Sequence, residues 1–84
     1  MSEEYTCGVA VGTDLSVAKA VTRAIVRQNG VMCSFRSPFG DLTNKLMPIT
    51  VDQYSDWLNG TPIQYAMSSL SADDRELFLT GMVF

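Results

Sequence analysis

The apolar positions between Thr13 and Gly30 recur at helical spacing. A helix in a globular domain buries one stripe of side chains that lie three and four residues apart. In this stretch the stripe consists of Leu15, Ala18, Val21, Ala24, Ile25 and Gln28. Thr13 or Asp14 can cap the start of such a helix, and Gly30 after Asn29 can end it. The pattern therefore predicts a first helix between Asp14 and Gly30.

The chain after Gly30 changes to an alternating pattern, which predicts a β-hairpin. Apolar and polar side chains alternate in residues 31–37, as they do in a half-buried strand. The segment Ser37-Pro38-Phe39-Gly40 fits a type I turn, with Ser first, Pro second and Gly last. Residues 42–47 then return along the first strand of the hairpin.

The N-terminal stretch of residues 5–11 is β-prone but is interrupted by Gly8, and it predicts either an edge strand or an ordered arm. Gly8 and Gly12 precede the predicted first helix, as glycines do in phosphate-binding loops. A Walker motif ends in Gly-Lys-Ser/Thr, whereas Thr13-Asp14-Leu15 follows here. Because the Asp14 carboxylate would repel a phosphate, the sequence excludes a P-loop.

Residues typical of helix starts and helix ends predict three short helices in the C-terminal half. Residues 50–53, Thr-Val-Asp-Gln, form a capping box that opens a helix running to Leu58. Thr61-Pro62 opens a second helix through about residue 69, since Pro suits the first helical position. Ser71, with Asp74 three residues on, starts a last helix that Gly81 ends.

These elements define the fold class. A chain of 84 residues corresponds to a single domain, residues 1–84. One antiparallel hairpin, joined by a third N-terminal strand if residues 5–11 are extended, would pack against the first helix and the three short C-terminal helices. Helices gathered on one face of a small antiparallel sheet make the α+β class.

The residue types that most catalytic and metal sites use are scarce in this chain. It contains no histidine, which is the most frequent general base and the commonest neutral metal ligand. The two cysteines, Cys7 and Cys33, form no C-x-x-C unit and are too few for a four-ligand zinc site. Cys33 alternates with Val31 and Phe35, which indicates a small buried side chain. We therefore expect a protein that is not an enzyme and needs no metal or cofactor.

The start of the chain does not have the pattern of a secretion signal. Glu3 and Glu4 make it acidic, where a signal peptide would be basic and then apolar. No apolar run approaches the ~20 residues that a membrane-spanning helix needs. We expect a cytoplasmic protein that does not contact the membrane.

The charges are segregated along a chain whose net charge is −3. Residues 1–14 carry −3, residues 15–45 carry +4 and residues 46–84 carry −4. The bases of the middle segment are the candidate partner- or anion-binding residues: Lys19, Arg23, Arg27, Arg36 and Lys45. The first three stand four residues apart and would share one face of the predicted helix.

Two interpretations of this basic face are open. It could attract phosphates or an acidic protein surface, or its charges could pair loosely with the acidic helices of the same molecule. Five bases offset by nearby acids do not favour nucleic acid as the primary ligand. Five carboxylates within residues 46–84 are in turn too sparse to imitate the phosphates of DNA.

The C-terminal half carries more aromatic and methionine side chains than short helices need for one buried seam. Most of them are assigned to the core, and any that stays exposed would be a natural anchor for a partner. The candidate interface residues are Trp57, Met82 and Phe84. The apolar segment 82–84 either completes the core or forms a two-fold interface. We expect the interface, and therefore a homo-oligomer, most simply a dimer.

A series of short segments in this half has a recognisable order: Leu46-Met47-Pro48-Ile49-Thr50, Gln53-Tyr54, Trp57-Leu58-Asn59-Gly60, Ile63-Gln64, and Leu70 through Gly81. The series resembles short uncharacterised proteins encoded by bacteriophages. The resemblance implies a location in the cytoplasm of a host bacterium. It also implies a function, because small phage proteins without catalytic residues often inhibit host enzymes or host defences, as anti-CRISPR proteins do.

The expected function is therefore inhibition of a host protein or protein complex, with a defence complex as the first candidate, by occupation of its surface. The alternative is a binding module for a small phosphate-bearing ligand such as a nucleotide. That ligand would bind through the basic first helix and the hairpin.

Overall fold

The computed structural model describes residues 3–81, and the side chains from residue 5 onward. Its elements in chain order are α1 (Glu3–Thr6), β1 (Asp14–Leu15), β2 (Val21–Arg27), β3 (Gly30–Arg36), β4 (Leu42–Met47), α2 (Val51–Leu58), α3 (Ile63–Ala66) and α4 (Ala72–Thr80). The strands form one antiparallel sheet in the order β1-β2-β3-β4. The fold is α+β, which confirms the class expected from the sequence. The segment 82–84, expected in the core or in an interface, lies outside the described residues.

Residues 14–27 form β1 and β2, so the prediction of a first helix was wrong. Ile25 and Val26 are β-branched, which lowers their helix propensity and suits them to a strand. Burial follows a two-residue period, because Ala24 and Val26 are fully buried while Ile25 between them reaches solvent. Asn29-Gly30 was predicted to end a helix, but Asn29 lies in the two-residue turn after Arg27 and Gly30 is the first residue of β3.

The N-terminal stretch was also assigned to the wrong element. The structure has the short helix α1 where residues 5 and 6 were expected to be extended, and α1 lies against β2 and β3. Gly8 and Gly12 both have positive φ, at 83° and 97°, which interrupts any strand over residues 5–11. A third N-terminal strand does join the sheet, but it is β1, and it is only two residues long.

The hairpin of β3 and β4 is confirmed. The strands pair without interruption from Val31 opposite Met47 to Arg36 opposite Leu42. In the connecting turn the Gly40 N–H donates to the Ser37 carbonyl at 3.0 Å, as a type I turn requires. The Ser37 hydroxyl accepts two further backbone N–H bonds, from Phe39 and Asp41, and so fixes the turn.

The three C-terminal helices are confirmed, with one shorter than expected. The Thr50 hydroxyl accepts from the Gln53 N–H at 3.0 Å, and the Gln53 side chain accepts from the Thr50 N–H at 2.9 Å, which completes the capping box of α2. Ser71 caps α4, and Gly81 ends it in the left-handed conformation. Helix α3 covers only Ile63–Ala66, because Pro62 is its N-cap and Met67, with φ −127° and ψ 49°, has left the helical conformation.

Aromatic rings form the centre of the core between the sheet and the helices. The ring of Phe78 on α4 meets that of Phe35 on β3 at 5.0 Å and that of Trp57 on α2 at 5.2 Å, both edge to face. Tyr54 packs beside Trp57 at 5.7 Å, and its hydroxyl donates to the Ser16 carbonyl at 2.6 Å. The buried phenol is therefore hydrogen-bonded, and it links α2 to the segment after β1.

Two contacts fix α4 against the sheet. The Lys45 ammonium on β4 pairs with the Asp74 carboxylate in the first turns of the helix. At the other end, a Cβ on Gly81 would lie 2.2 Å from the Arg36 carbonyl oxygen, a distance that only glycine allows. Among the helices of residues 3–81, none has the length and apolar character needed to cross a membrane.

Candidate binding surface

Strand alternation gives the sheet two faces of different character. The inner face, which meets α2 and α4, presents buried side chains such as those of Ala24, Cys33 and Phe35. The outer face is here defined as the strand residues that point the opposite way: Asp14, Arg23, Ile25, Arg27, Met32, Ser34, Arg36, Leu42, Asn44 and Leu46. Each of these outer-face side chains is at least partly exposed.

An apolar row crosses the middle of the outer face. Ile25 on β2 pairs with Met32 on β3, which pairs with Leu46 on β4. All three are half-buried. Because paired residues stand about 4.5–5.5 Å apart, these side chains form a continuous strip.

Arginines lie on both sides of this strip. Arg23 and Arg27 precede and follow Ile25 by two residues on β2, which separates their Cα atoms by roughly 13 Å. Arg36 lies beyond Ser34 on β3, diagonal to Arg23. All three arginines are exposed. The outer face is thus a strip of apolar side chains bounded by guanidinium groups.

A β-bulge places Arg23 on this face. Val21 pairs with Phe35 and Arg23 pairs with Ser34, so that Thr22 is an additional residue in β2. Without the bulge, strict alternation from the buried Val21 would turn Arg23 inward. Thr22 is held by a hydrogen bond from its hydroxyl to the Ser34 carbonyl at 3.3 Å.

The arginines of the outer face are weakly neutralised by the rest of the molecule. Arg23 pairs with Asp14 at 3.4 Å, and the two side chains are 64% and 65% exposed, so the pair is expected to contribute about 0–1 kcal/mol. Within the described chain, neither Arg27 nor Arg36 forms a salt bridge. A face bearing three bases and one acid therefore has the opposite sign to the chain as a whole, whose net charge is −3.

The acids of the C-terminal half lie on the other side of the sheet. Helices α2 and α4 carry Asp52, Asp56, Asp73, Asp74 and Glu76. Of the five predicted bases, only Lys45 forms a salt bridge to a helical acid in the described residues, and it belongs to the inner face. The sheet thus separates the outer arginines from the helical carboxylates, which favours a basic face available to a partner over one paired within the molecule.

The structure therefore divides the predicted site residues. Arg23, Arg27 and Arg36 share the outer face, although no helix carries them. Lys45 points to the helices, and Lys19 lies in the connection between β1 and β2 with a positive φ of 53°. Trp57, a candidate interface residue, is only 6% exposed and is part of the core.

Lys19 and Arg36 meet at a separate feature, a shallow cleft of about 460 Å³ at the end of the sheet. The hydroxyl-bearing residues Ser37 and Thr80 also line it, together with the exposed Leu79. The cleft thus contains two of the five predicted anion-binding residues. Arg23, Arg27 and Lys45 lie elsewhere.

The inner-face thiol is poorly suited to nucleophilic chemistry. Burial raises the pKa of Cys33 from 9.0 to about 12, so the side chain is a neutral thiol at pH 7. Burial, and to a smaller extent the Cys33 charge, also raises the pKa of Tyr54. In the part of the chain from residue 3 to residue 81, no group of three or more His, Cys, Asp and Glu side chains is placed to hold a metal ion.

Reasoning from the sequence missed the apolar strip. Ile25 was assigned to a helix stripe, and the hairpin of residues 31–47 was predicted without β2 as a neighbouring strand. The signal that could have revealed the strip is the Asn-Gly pair at residues 29–30 between alternating segments, which indicates a hairpin as well as a helix end.

Comparison with known proteins adds no family assignment. No protein-family model, curated protein or solved structure matches this chain. The argument for function therefore starts from the outer face and the cleft.

Proposed function

We propose that this chain is a non-enzymatic binding protein that places the outer face of its sheet on an acidic surface of another protein. The observation that carries the proposal is the apolar strip bounded by arginines on a face of opposite charge to the whole chain. Three further points support it: composition, charge and rigidity.

The composition of the outer face is that of a protein interface. Interfaces have an apolar centre and a polar rim, and arginine and methionine are enriched in them relative to other surfaces. Met32 lies at the centre of the strip, and Arg23 and Arg27 lie at its margins. A partner that covers the strip would complete the burial of side chains that are now partly exposed.

Charge selects the kind of partner. Exposed arginines attract carboxylates and bind them in a bidentate manner. Acidic helices on the opposite side of the molecule would be repelled by the same partner, so the approach is oriented with the outer face leading. The partner surface is therefore expected to carry exposed Asp and Glu side chains around an apolar centre.

The sheet also holds the surface rigidly. Strands β2, β3 and β4 are paired along their lengths and are supported from behind by the aromatic core. A surface built on rigid strands loses little conformational entropy on binding. Binding energy is therefore not spent on ordering the site.

The narrower proposal is that the partner belongs to a bacterial defence system that a phage must overcome. Its support is the resemblance of residues 46–81 to phage proteins. These residues form the end of β4 and the helices, which support the sheet from behind, while most of the outer face lies in residues 14–44. In this proposal the C-terminal half supplies the scaffold and the N-terminal half supplies the recognition surface.

The proposal can be tested with two charge-reversed variants of equal net charge. Arg23→Glu/Arg27→Glu changes the outer face, and Lys19→Glu/Arg75→Glu makes the same change in charge away from it. Each chain is expressed in bacteria whose CRISPR–Cas system targets an infecting phage, and plaques are counted. The wild-type chain and the Lys19/Arg75 variant should restore plaques, whereas the Arg23/Arg27 variant should not.

A second readout separates the general proposal from the narrower one. Proteins retained from a bacterial lysate by each immobilised chain are compared at low and high salt. A species retained by the wild-type chain and the control, lost from the Arg23→Glu/Arg27→Glu chain and weakened by salt supports docking on the outer face, whether or not plaques are restored. Equal retention by both variants would contradict it.

A second candidate function follows from the cleft. Lys19 and Arg36, with the hydroxyls of Ser37 and Thr80 nearby, could bind a small phosphate-bearing ligand. Titration with ATP and with inorganic phosphate, followed by NMR, tests this directly. Shifts at residues 19 and 36–37 that are lost in Lys19→Ala would support the cleft as a site, and unchanged spectra would exclude it for these ligands.

A further inference from the structure

We infer that two copies of this chain associate by antiparallel pairing of β4 with β4, which would join their sheets into one. The inference is independent of the proposed function. It starts from the position of β4 at one edge of the sheet, where β3 occupies one side and no strand among the described residues occupies the other. Unpaired edge strands expose N–H and C=O groups that can pair with another chain.

The turn between β3 and β4 determines which residues present those groups. The Ser37 N–H donates to the Asp41 carbonyl at 2.9 Å, which makes this a hydrogen-bonded pair. Antiparallel ladders alternate between bonded and non-bonded pairs. The bonded pairs farther along are therefore those of Thr43, Lys45 and Met47 with β3. Consequently Leu42, Asn44 and Leu46 turn their N–H and C=O groups away from β3.

The β4 edge lacks most of the features that prevent edge pairing. Such features include bulges, prolines within the strand and charged side chains. The pairing of β4 with β3 is regular over all six residues, and Pro48 comes only after the strand. The one charged residue, Lys45, is engaged by Asp74. Leu42 is meanwhile 68% exposed, so an apolar side chain lies open to solvent on this edge strand.

Pairing around a two-fold axis at Asn44 is self-complementary. Asn44 then faces Asn44 of the second copy, and Leu42 faces Leu46 of the second copy on the outer face. On the inner face Thr43 faces Lys45 of the second copy, so no like charges are opposed. All three outward-turned residues of each copy are hydrogen-bonded in this register.

The neighbouring registers are less favourable. An axis at Lys45 would place two ammonium groups directly opposite each other, which destabilises a strand pair. An axis at Thr43 would leave Leu46 outside the paired segment. The sequence of β4 thus selects the register centred on Asn44.

The seam is shorter than a standard protein interface, so we expect a dimer that dissociates on dilution. Sedimentation from micromolar to near-millimolar concentration should show a rise from the monomer mass to twice that mass. Leu42→Lys should weaken the dimer about tenfold or more, because two-fold symmetry places the change at both ends of the seam. Tyr65→Lys is the matched control, since Tyr65 is 71% exposed on α3 and lies off the edge.

Asn44→Pro tests the backbone part of the inference. The Asn44 N–H points away from β3, so proline in both copies removes the two hydrogen bonds of the central pair and leaves the β3–β4 ladder intact. This variant should be monomeric with an unchanged circular dichroism spectrum. Should it unfold, Leu42→Lys still decides the question, because that side chain is already exposed.

A cross-linking experiment tests the register. With Cys7 replaced by Ser in every chain, Asn44→Cys should form an intermolecular disulfide on oxidation, since facing residues of a bonded pair lie about 5.5 Å apart. Leu42→Cys alone should not, but a mixture of Leu42→Cys and Leu46→Cys chains should. A wild-type chain that stays monomeric throughout would overturn the inference, as would a dimer that survives both Leu42→Lys and Asn44→Pro.

Discussion

The two faces of the sheet are built from the same strands, yet the inner face is fully packed and the outer face is not. On the inner face, Phe35 and its neighbours are fully buried against α2 and α4, and the Tyr54 hydroxyl has its hydrogen-bond partner. On the outer face, the strip around Met32 is partly exposed, and two of the three arginines have no salt bridge in residues 3–81.

The difference suggests a division of roles, with the inner face serving stability and the outer face serving recognition. A domain of 84 residues has a small core and a small stability margin, so the inner face has to be filled efficiently. Substitutions there should be costly to folding and indirect in their effect on binding. Substitutions on the outer face should do the reverse, because its side chains contribute little to the folded state.

Removal of one inner-face ring gives the largest expected effect. Phe78 meets the rings of Phe35 and Trp57, so Phe78→Ala should lower the free energy of unfolding by about 3–5 kcal/mol. Met32→Ala on the outer face, where the side chain is partly exposed, should cost about 1 kcal/mol. Urea denaturation of both variants measures the contrast, and equal losses would mean that the two faces are not distinct in stability.

Alkaline pH should destabilise the inner face selectively. The folded state keeps the Cys33 thiol protonated to about pH 12, whereas the unfolded chain loses that proton near 9.0. The unfolded state therefore binds fewer protons in this range, and the free energy of unfolding falls as pH rises. The loss approaches about 1.4 kcal/mol per pH unit above pH 9.

Denaturation at pH 8, 9 and 10 checks this. Every chain compared carries Cys7→Ala, so that the buried Cys33 thiol is the only one that can ionise. Cys33→Ala should flatten the decline between pH 9 and 10. A tyrosine in the unfolded chain is only about half ionised at pH 10, so Tyr54 contributes less than Cys33 to the decline over this range. An unchanged slope would show that Cys33 is accessible to solvent on the inner face.

A further, smaller effect than that of Phe78→Ala concerns α2, which covers the inner face. Thr50→Ala removes the hydroxyl that caps α2 and should cost about 0.5–2 kcal/mol. Thr50→Ser keeps the hydroxyl and should recover most of the loss. If both variants shift the thermal midpoint equally, the capping hydrogen bond is not what Thr50 contributes.

Local signals in the sequence were enough for the elements that local interactions determine. The capping box at Thr50, the turn at Ser37-Pro38 and the left-handed Gly81 each satisfy backbone groups within a few residues, and each was predicted correctly. Strand β2 depends instead on partners in β1 and β3. The apolar residues of β2 fit the three-to-four-residue period of a helix in part, and the two-residue period of a strand in part. Only pairing with β3 decides in favour of the strand.

The residues of the candidate surface likewise divide into those whose placement follows from local spacing and those whose placement depends on distant strands. Arg23 and Arg27 are four residues apart, which places them on one side of a helix and equally on one side of a strand. Their shared face was therefore predictable even though the element was wrong. Lys19 falls outside β2 in the preceding turn, and Lys45 points inward because its register with β3 pairs it with the buried Cys33. These placements depend on the register of strands, which no short segment encodes.

The bulge at Thr22 has a consequence for how this sequence can change over evolutionary time. A relative that lacked one residue at this position would regain a regular strand and keep both faces intact, because Thr22 is the additional residue between Val21 and Arg23. A deletion within residues 24–26 would instead turn an arginine inward or core residues outward over part of the strand. In an alignment of relatives, a single-residue gap is therefore expected at position 22 or 23 and not in the three positions that follow.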